Sequence, residues 1–150
     1  MIVEIKLNGR TRTFDVDPGE YLLDTLRTHH VLSVRKGCDE SSCGVCTILL
    51  NDKPVLSCSV LSAQAHGKSI LTVDGLHEEI EKISNYFSDE GADQCGFCNP
   101  GLALSTYALK QKSVPPTDAE IKRFIVGHLC RCSGYQAQYK AIKRYLGDHS

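Results

Sequence analysis

The chain has 150 residues, 41% of them hydrophobic and 23% charged, with a formal net charge of −1. That composition belongs to a folded chain with material for one good core or two small ones, and it excludes disorder. Near-neutral charge removes the electrostatic reason for nucleic-acid or membrane binding, and no stretch is long and apolar enough to span a bilayer.

Ile2 to Leu7 alternates apolar and charged residues, Asn8-Gly9 follows, and Arg10 to Val16 alternates more weakly. This predicts a hairpin closed by an Asn-Gly turn. Asp17-Pro18-Gly19 reads as a turn, and Tyr21, Leu22, Leu23 and Leu26 then recur at near-helical spacing. Beyond a cysteine-rich loop, Thr47 to Leu50 and Val55 to Ser57 read as short strands around Asn51-Asp52, and Ser69 to Val73 as another. A hairpin, one helix and further strands predict a β-grasp sheet ending near Asp74-Gly75.

After that point the pattern turns helical. Glu78 to Phe87 places Ile80, Ile83 and Phe87 on one face. Asn99 is the expected N-cap of a second helix, Pro100 to Lys112, with proline in the first turn. Pro115-Pro116 interrupts the chain, and Thr117 with Glu120 forms a capping box for a third helix. A fourth follows Tyr135, with Tyr139, Ile142, Tyr145 and Leu146 on its apolar face. The expected architecture is α+β, with a β-grasp domain over residues 1–75 and a helical bundle over 76–150.

The start, MIVEIKLNG, carries Glu4 and Lys6 among its apolar residues and does not read as a signal peptide. A cytoplasmic location is expected, where structural disulfides are rare, so eight cysteines point to metal ligation. They fall into two sets of four. Cys38, Cys43, Cys46 and Cys58 open with C-x4-C-x2-C, the run by which plant-type ferredoxins hold a 2Fe–2S cluster. Gly37 and Gly44 let that backbone come close to a cluster. Cys95, Cys98, Cys130 and Cys132 form the second set, from QCGFCNPG and GHLCRCSGY. Cys95 and Cys98 precede a helix whose positive end then faces the thiolates. Cys130 and Cys132 are too close for an unstrained disulfide and would clamp a cluster from the other side.

Zinc is the alternative, since four-cysteine zinc sites are common structural devices. Spacing favours iron–sulfur for the first set, because neither set has the second C-x2-C knuckle usual for zinc. The second set alone leaves both open. His128 is read as a hydrogen-bond partner, and His29, His30, His66, His77 and His149 as surface residues. No G-x-G-x-x-G or G-x-x-x-x-G-K-[ST] is present, so nucleotide or flavin binding by this chain is unsupported.

GCDESSCGVCTILLNDKPVLSC, QCGFCNPG and GHLCRCSGY, in this order, resemble the small iron–sulfur subunit of the molybdenum hydroxylases, the xanthine dehydrogenase family. The resemblance runs along essentially the whole chain. It implies a plant-ferredoxin-like N-terminal domain, a C-terminal four-helix bundle domain, and one 2Fe–2S cluster in each. It also implies a large partner subunit with a molybdenum–pterin cofactor and a medium subunit binding FAD. Electrons would pass from molybdenum through the cluster of Cys95, Cys98, Cys130 and Cys132, then that of Cys38, Cys43, Cys46 and Cys58, to FAD. Gln94 matches a glutamine that in the family lies against the pterin.

The sequence departs from the family pattern at Ser41, where glycine is usual, and at Val45, Asn99 and His128, which stand for alanine, threonine and asparagine. LSVRKGC is closest to purine-hydroxylating members; nicotinate, other N-heterocycles, aldehydes, carbon monoxide and aromatic thioesters are the alternatives. Two further roles compete: a freestanding ferredoxin-like carrier and a zinc-stabilised interaction module. An apolar patch on the helical half would mark a permanent partner rather than transient docking.

Overall fold

The structure, a computed structural model, describes residues 1–148. A five-stranded sheet in the first half has the order β2-β1-β5-β3-β4. β1 (Ile2–Leu7) and β2 (Arg10–Asp15) pair antiparallel about Asn8-Gly9. Both turn residues take positive φ, 49° and 82°, the primed-turn geometry that Asn-Gly favours. β3 (Thr47–Leu50) and β4 (Lys53–Leu56) form a second hairpin about Asn51 and Asp52, also at positive φ. β5 (Ser69–Leu71) joins the hairpins, running parallel to β1 and antiparallel to β3. β4 starts two residues earlier than its apolar residues indicate, and β5 stops at Leu71, where the chain tightens into a 3-10 turn at Val73–Gly75.

α1 (Leu22–Thr28) lies on one face of this sheet. Its Leu22 and Leu26 join Val3, Ile5, Phe14 and Ile48 in a closed core. Alternation in β1 explains the register, since Val3, Ile5 and Leu7 point inward while Ile2, Glu4 and Lys6 are exposed.

α2 (His77–Asp89), α3 (Asn99–Lys110), α4 (Asp118–Ile125) and α5 (Gln136–Gly147) make up the second half. They share a separate core around Ile83, Phe87, Leu102, Ile121, Ile142 and Tyr145. The Thr117 capping box forms as expected. The Thr117 hydroxyl accepts from the Glu120 N–H at 3.3 Å, and the Glu120 carboxylate accepts from the Thr117 N–H at 2.7 Å. Asn99 is not the N-cap of α3. Cys98 takes that position, and the Asn99 amide instead donates to Asp93 at 2.8 Å, which removes it from capping.

α3 also packs against β3, so the halves touch along one seam. Two glycines permit the approach. A Cβ on Gly44 (φ +78°) would lie 2.1 Å from the Gly127 carbonyl oxygen, and one on Gly101 would lie 2.6 Å from the Gly44 oxygen. Arg35 adds a side-chain link, donating to the Gly96 carbonyl and lying over the Phe97 ring at 5.4 Å. No helix among the described residues is long and apolar enough to cross a membrane.

Candidate metal centres

Cys38, Cys43 and Cys46 lie on the loop between α1 and β3, and Cys58 in the 3-10 turn Ser57–Ser59 after β4. The β3–β4 hairpin brings the fourth cysteine back: Thr47 pairs with Leu56, and Ser57 donates to the Cys46 carbonyl through its N–H (3.2 Å) and its hydroxyl (2.8 Å). The Sγ atoms of Cys46 and Cys58 are then 3.4 Å apart. Cys38 and Cys43 form a second pair within hydrogen-bonding reach. Backbone N–H groups converge on the Cys38 sulfur, first that of Cys43 and then those of Glu40 and Ser42, and hold its thiol down at about 6. Burial pushes the Cys46 thiol up to about 11.

Ser41 borders this loop. Its φ is 55°, so serine occupies the left-handed region that glycine would enter freely. Its hydroxyl lies 3.4 Å from the Cys58 sulfur and accepts from the Ser59 hydroxyl at 2.9 Å.

The second set gathers where three helices meet. Cys98 caps α3, Cys95 lies in the preceding loop, and Cys130 and Cys132 come from the turn between α4 and α5. They too form pairs, Cys98 with Cys130 and Cys95 with Cys132. A cavity of about 440 Å³ opens among Cys95, Cys98, Cys130 and Cys132, with Cys43 and Phe97 on its wall. Burial pushes the Cys98 thiol up to about 12, with the Cys130 thiol adding to it. Burial also raises Cys130, but the Ser133 hydroxyl and the N–H groups of Ser133 and Cys132 outweigh it and leave the thiol below its usual range.

Gln94 is exposed, and its amide donates to the Cys132 carbonyl at 3.5 Å, which places it on the rim of the second centre. His128 is buried, only 6% exposed, against the Phe124 ring. Burial pushes its pKa down to about 4, opposed by a backbone hydrogen bond with Gly44. The ring is thus a hydrogen-bond partner across the seam, as the sequence reading expected. His66 also acts as a partner, its Nδ1 accepting from the Glu4 N–H at 3.0 Å. His149 lies outside the described residues.

Sequence reasoning missed three groups around the centres. Leu129 N–H donates to the Cys43 carbonyl at 2.9 Å, a bond between loops that no local pattern encodes. Ser133 lies 3.3 Å from the Cys130 sulfur. Gln138, fully buried, donates from its side-chain amide to the Cys98 sulfur at 3.5 Å. Its signal was present: Gln138 stands four residues before Ile142 and seven before Tyr145, hence on the buried face of α5.

The thiols fit a binuclear cluster, in which each iron takes two of the four thiolates. They fall into four close pairs, two per centre, while among the described residues no three Cys, His, Asp or Glu side chains gather as a set for one metal ion. Two iron–sulfur family models match in succession. Residues 5–72 match a 2Fe-2S iron-sulfur cluster binding domain, and residues 72–143 a [2Fe-2S] binding domain. The small FeS subunit of nicotinate dehydrogenase from Eubacterium barkeri is 40% identical, over 94% of this chain and 92% of its own. The chain belongs to the small iron–sulfur subunits of the molybdenum hydroxylase, or xanthine dehydrogenase, family. The iron-sulfur-binding subunit of xanthine dehydrogenase from Escherichia coli O157:H7 is a relative at 39% identity, over 89% of this chain and 87% of that one. Among solved structures, quinoline 2-oxidoreductase from Pseudomonas putida 86 superposes with a TM-score of 0.88 at 35% identity, covering 97% of this chain and 93% of its own. As a small iron–sulfur subunit of this family, the chain is part of an oxidoreductase, and its own cofactors are two 2Fe–2S clusters.

Proposed function

We propose that the chain relays electrons between two partner subunits, from a molybdenum–pterin centre to FAD, through a helical-domain cluster and then a ferredoxin-like cluster. In this reading Cys95, Cys98, Cys130 and Cys132 hold the first, and Cys38, Cys43, Cys46 and Cys58 the second. When bound, each cluster takes and gives up one electron at a time. The observation that carries the reading is the bond from the Leu129 N–H to the Cys43 carbonyl. It joins the backbone beside Cys130 directly to a residue of the other set. Cys43, Val45 and Cys98 share one buried cluster with Cys38 and Cys130 packed on it, so the two sets adjoin across the seam.

The relay needs a donor and an acceptor at its ends. Cys95 and Cys132 are exposed, and so are the neighbouring apolar side chains Phe97, Val126 and Leu129. That surface favours a permanent large subunit over a freestanding carrier. Gln94, on the same rim, is the proposed contact to the pterin. The FAD-binding subunit would meet the Cys38–Cys58 side. We take residues 1–75 and 76–150 as the two domains, the second a four-helix bundle, and the assembly as cytoplasmic. The relatives named for nicotinate, xanthine and quinoline support an N-heterocycle as the substrate class, broader than the purine preference of the LSVRKGC stretch.

Electron paramagnetic resonance on the dithionite-reduced chain, with iron and acid-labile sulfide counted on the same sample, tests the reading. Two distinct one-electron signals with about four irons per chain are expected. A silent spectrum with stoichiometric zinc overturns it.

A further inference from the structure

Gln138 is an anomaly of packing. It sits in the first turn of α5 with no exposed surface, among residues of the helical core, and its Oε1 has no hydrogen-bond partner among the described residues. An unpaired buried carbonyl costs about 1–3 kcal/mol, and an apolar side chain of similar size would avoid that. Such a group calls for a compensating role. Its other amide atom supplies one, since Nε2 lies 3.5 Å from the Cys98 sulfur.

Apart from the Cys130 thiol, itself assigned as a cluster ligand, no other side chain is placed to donate there among the described residues. Asn99 is adjacent to Cys98, but it presents its carbonyl oxygen to the sulfur at 3.6 Å. It is held in that orientation because its Nδ2 is committed to Asp93 at 2.8 Å. Ser133 serves Cys130, not Cys98. Cys98 is also the most enclosed sulfur of its set, 7% exposed, so water contributes little to its solvation.

We propose that Gln138 is a positioning residue that sets the reduction potential of the helical-domain cluster by donating its amide N–H to the Cys98 sulfur. This rests on the assignment of Cys98 as a cluster ligand. One-electron reduction adds negative charge that the thiolates share, and a fixed N–H donor stabilises the reduced form more than the oxidised one. Hydrogen bonds to the sulfurs are among the determinants of such potentials, and burial strengthens the effect. The gradient between the two clusters, and thereby the direction of the relay, is then set in part by one amide on α5.

The test is a redox titration of the reduced assembly followed by electron paramagnetic resonance, comparing wild type with Gln138→Leu and Gln138→Met. Both variants keep the volume and remove the donor. At a fixed solution potential the reduced fraction of the helical-domain cluster should fall about tenfold relative to the oxidised, equivalent to 59 mV for a one-electron couple. The ferredoxin-like signal should titrate unchanged, and neither variant should unfold more readily in urea. Unmoved potentials in both variants overturn the inference and leave the relay standing. Loss of the helical-domain signal in both also overturns it, since Gln138 would then retain the cluster rather than tune it. Wild-type protein without two signals overturns the relay itself, and this inference with it.

Discussion

Leu129 and Cys43 are joined backbone to backbone across the seam, N–H to carbonyl at 2.9 Å, although they are 86 positions apart in sequence. The bond exists because Gly44, next to Cys43, has no side chain to hold the loops apart. An alanine there would place its Cβ 2.1 Å from the Gly127 oxygen and would also have to adopt φ +78°. Gly44→Ala should therefore destabilise the chain by about 3 kcal/mol or more, combining overpacking with left-handed strain. Urea unfolding followed by circular dichroism measures it. A change within the error of wild type would mean that the seam is looser than described.

The two ligand sets adjoin but share no thiol, so they should fail separately. Cys43→Ser should damage only the ferredoxin-like signal, and Cys130→Ser only the helical-domain one. Electron paramagnetic resonance of each variant decides. If either substitution erased both signals in a folded chain, the picture of two independent sites would be wrong.

Ser41 offers a cleaner backbone test, since alanine and glycine both remove its hydroxyl. At φ 55° only glycine also removes the left-handed strain. Ser41→Gly should be more stable than Ser41→Ala by about 1 kcal/mol. Equal urea midpoints would show that the residue is free to leave that conformation.

Within the helical core, Tyr145 is fully buried and its hydroxyl donates to Glu79 at 2.8 Å. Burial first, then the Glu79 carboxylate, pushes the phenol's pKa upward, so it remains a donor through neutral and moderately alkaline pH. Tyr145→Phe keeps the ring and removes that bond. A loss of about 1–2 kcal/mol is expected, toward the lower end for a charged partner because Glu79 is partly exposed. Thermal unfolding at pH 7 reads it, and an unchanged midpoint would assign the bond no net value.

Local chemistry made much of this molecule readable. Asn8-Gly9 announced its hairpin because few residues accept two positive φ angles in succession, and Thr117 with Glu120 announced a helix start because their side chains satisfy each other's N–H groups. Cysteine spacing suggested two sets of four because each half of the chain carries four. In the second set, though, the close partners, Cys98 with Cys130 and Cys95 with Cys132, come from motifs more than thirty residues apart, and only the fold brings them together. What stayed hidden was long-range. Asn99 looked like a cap until Asp93 claimed its amide. The meeting of Gly44 with Gly127 is a contact between main chains, and no periodicity reports it. Gln138 was visible as a polar residue on an apolar stripe, but the sulfur it addresses belongs to a different helix.

Burial among the sulfurs is graded along the molecule. Cys46 is buried in the sheet core, Cys43 and Cys98 are buried at the seam, Cys38, Cys58 and Cys130 are half-covered, and Cys95 and Cys132 lie open. The protein is built like an insulated cable with one end stripped. A cluster held at that end would meet solvent and dioxygen until a partner covered it. Holding newly loaded chains under anaerobic conditions would protect that uncovered end.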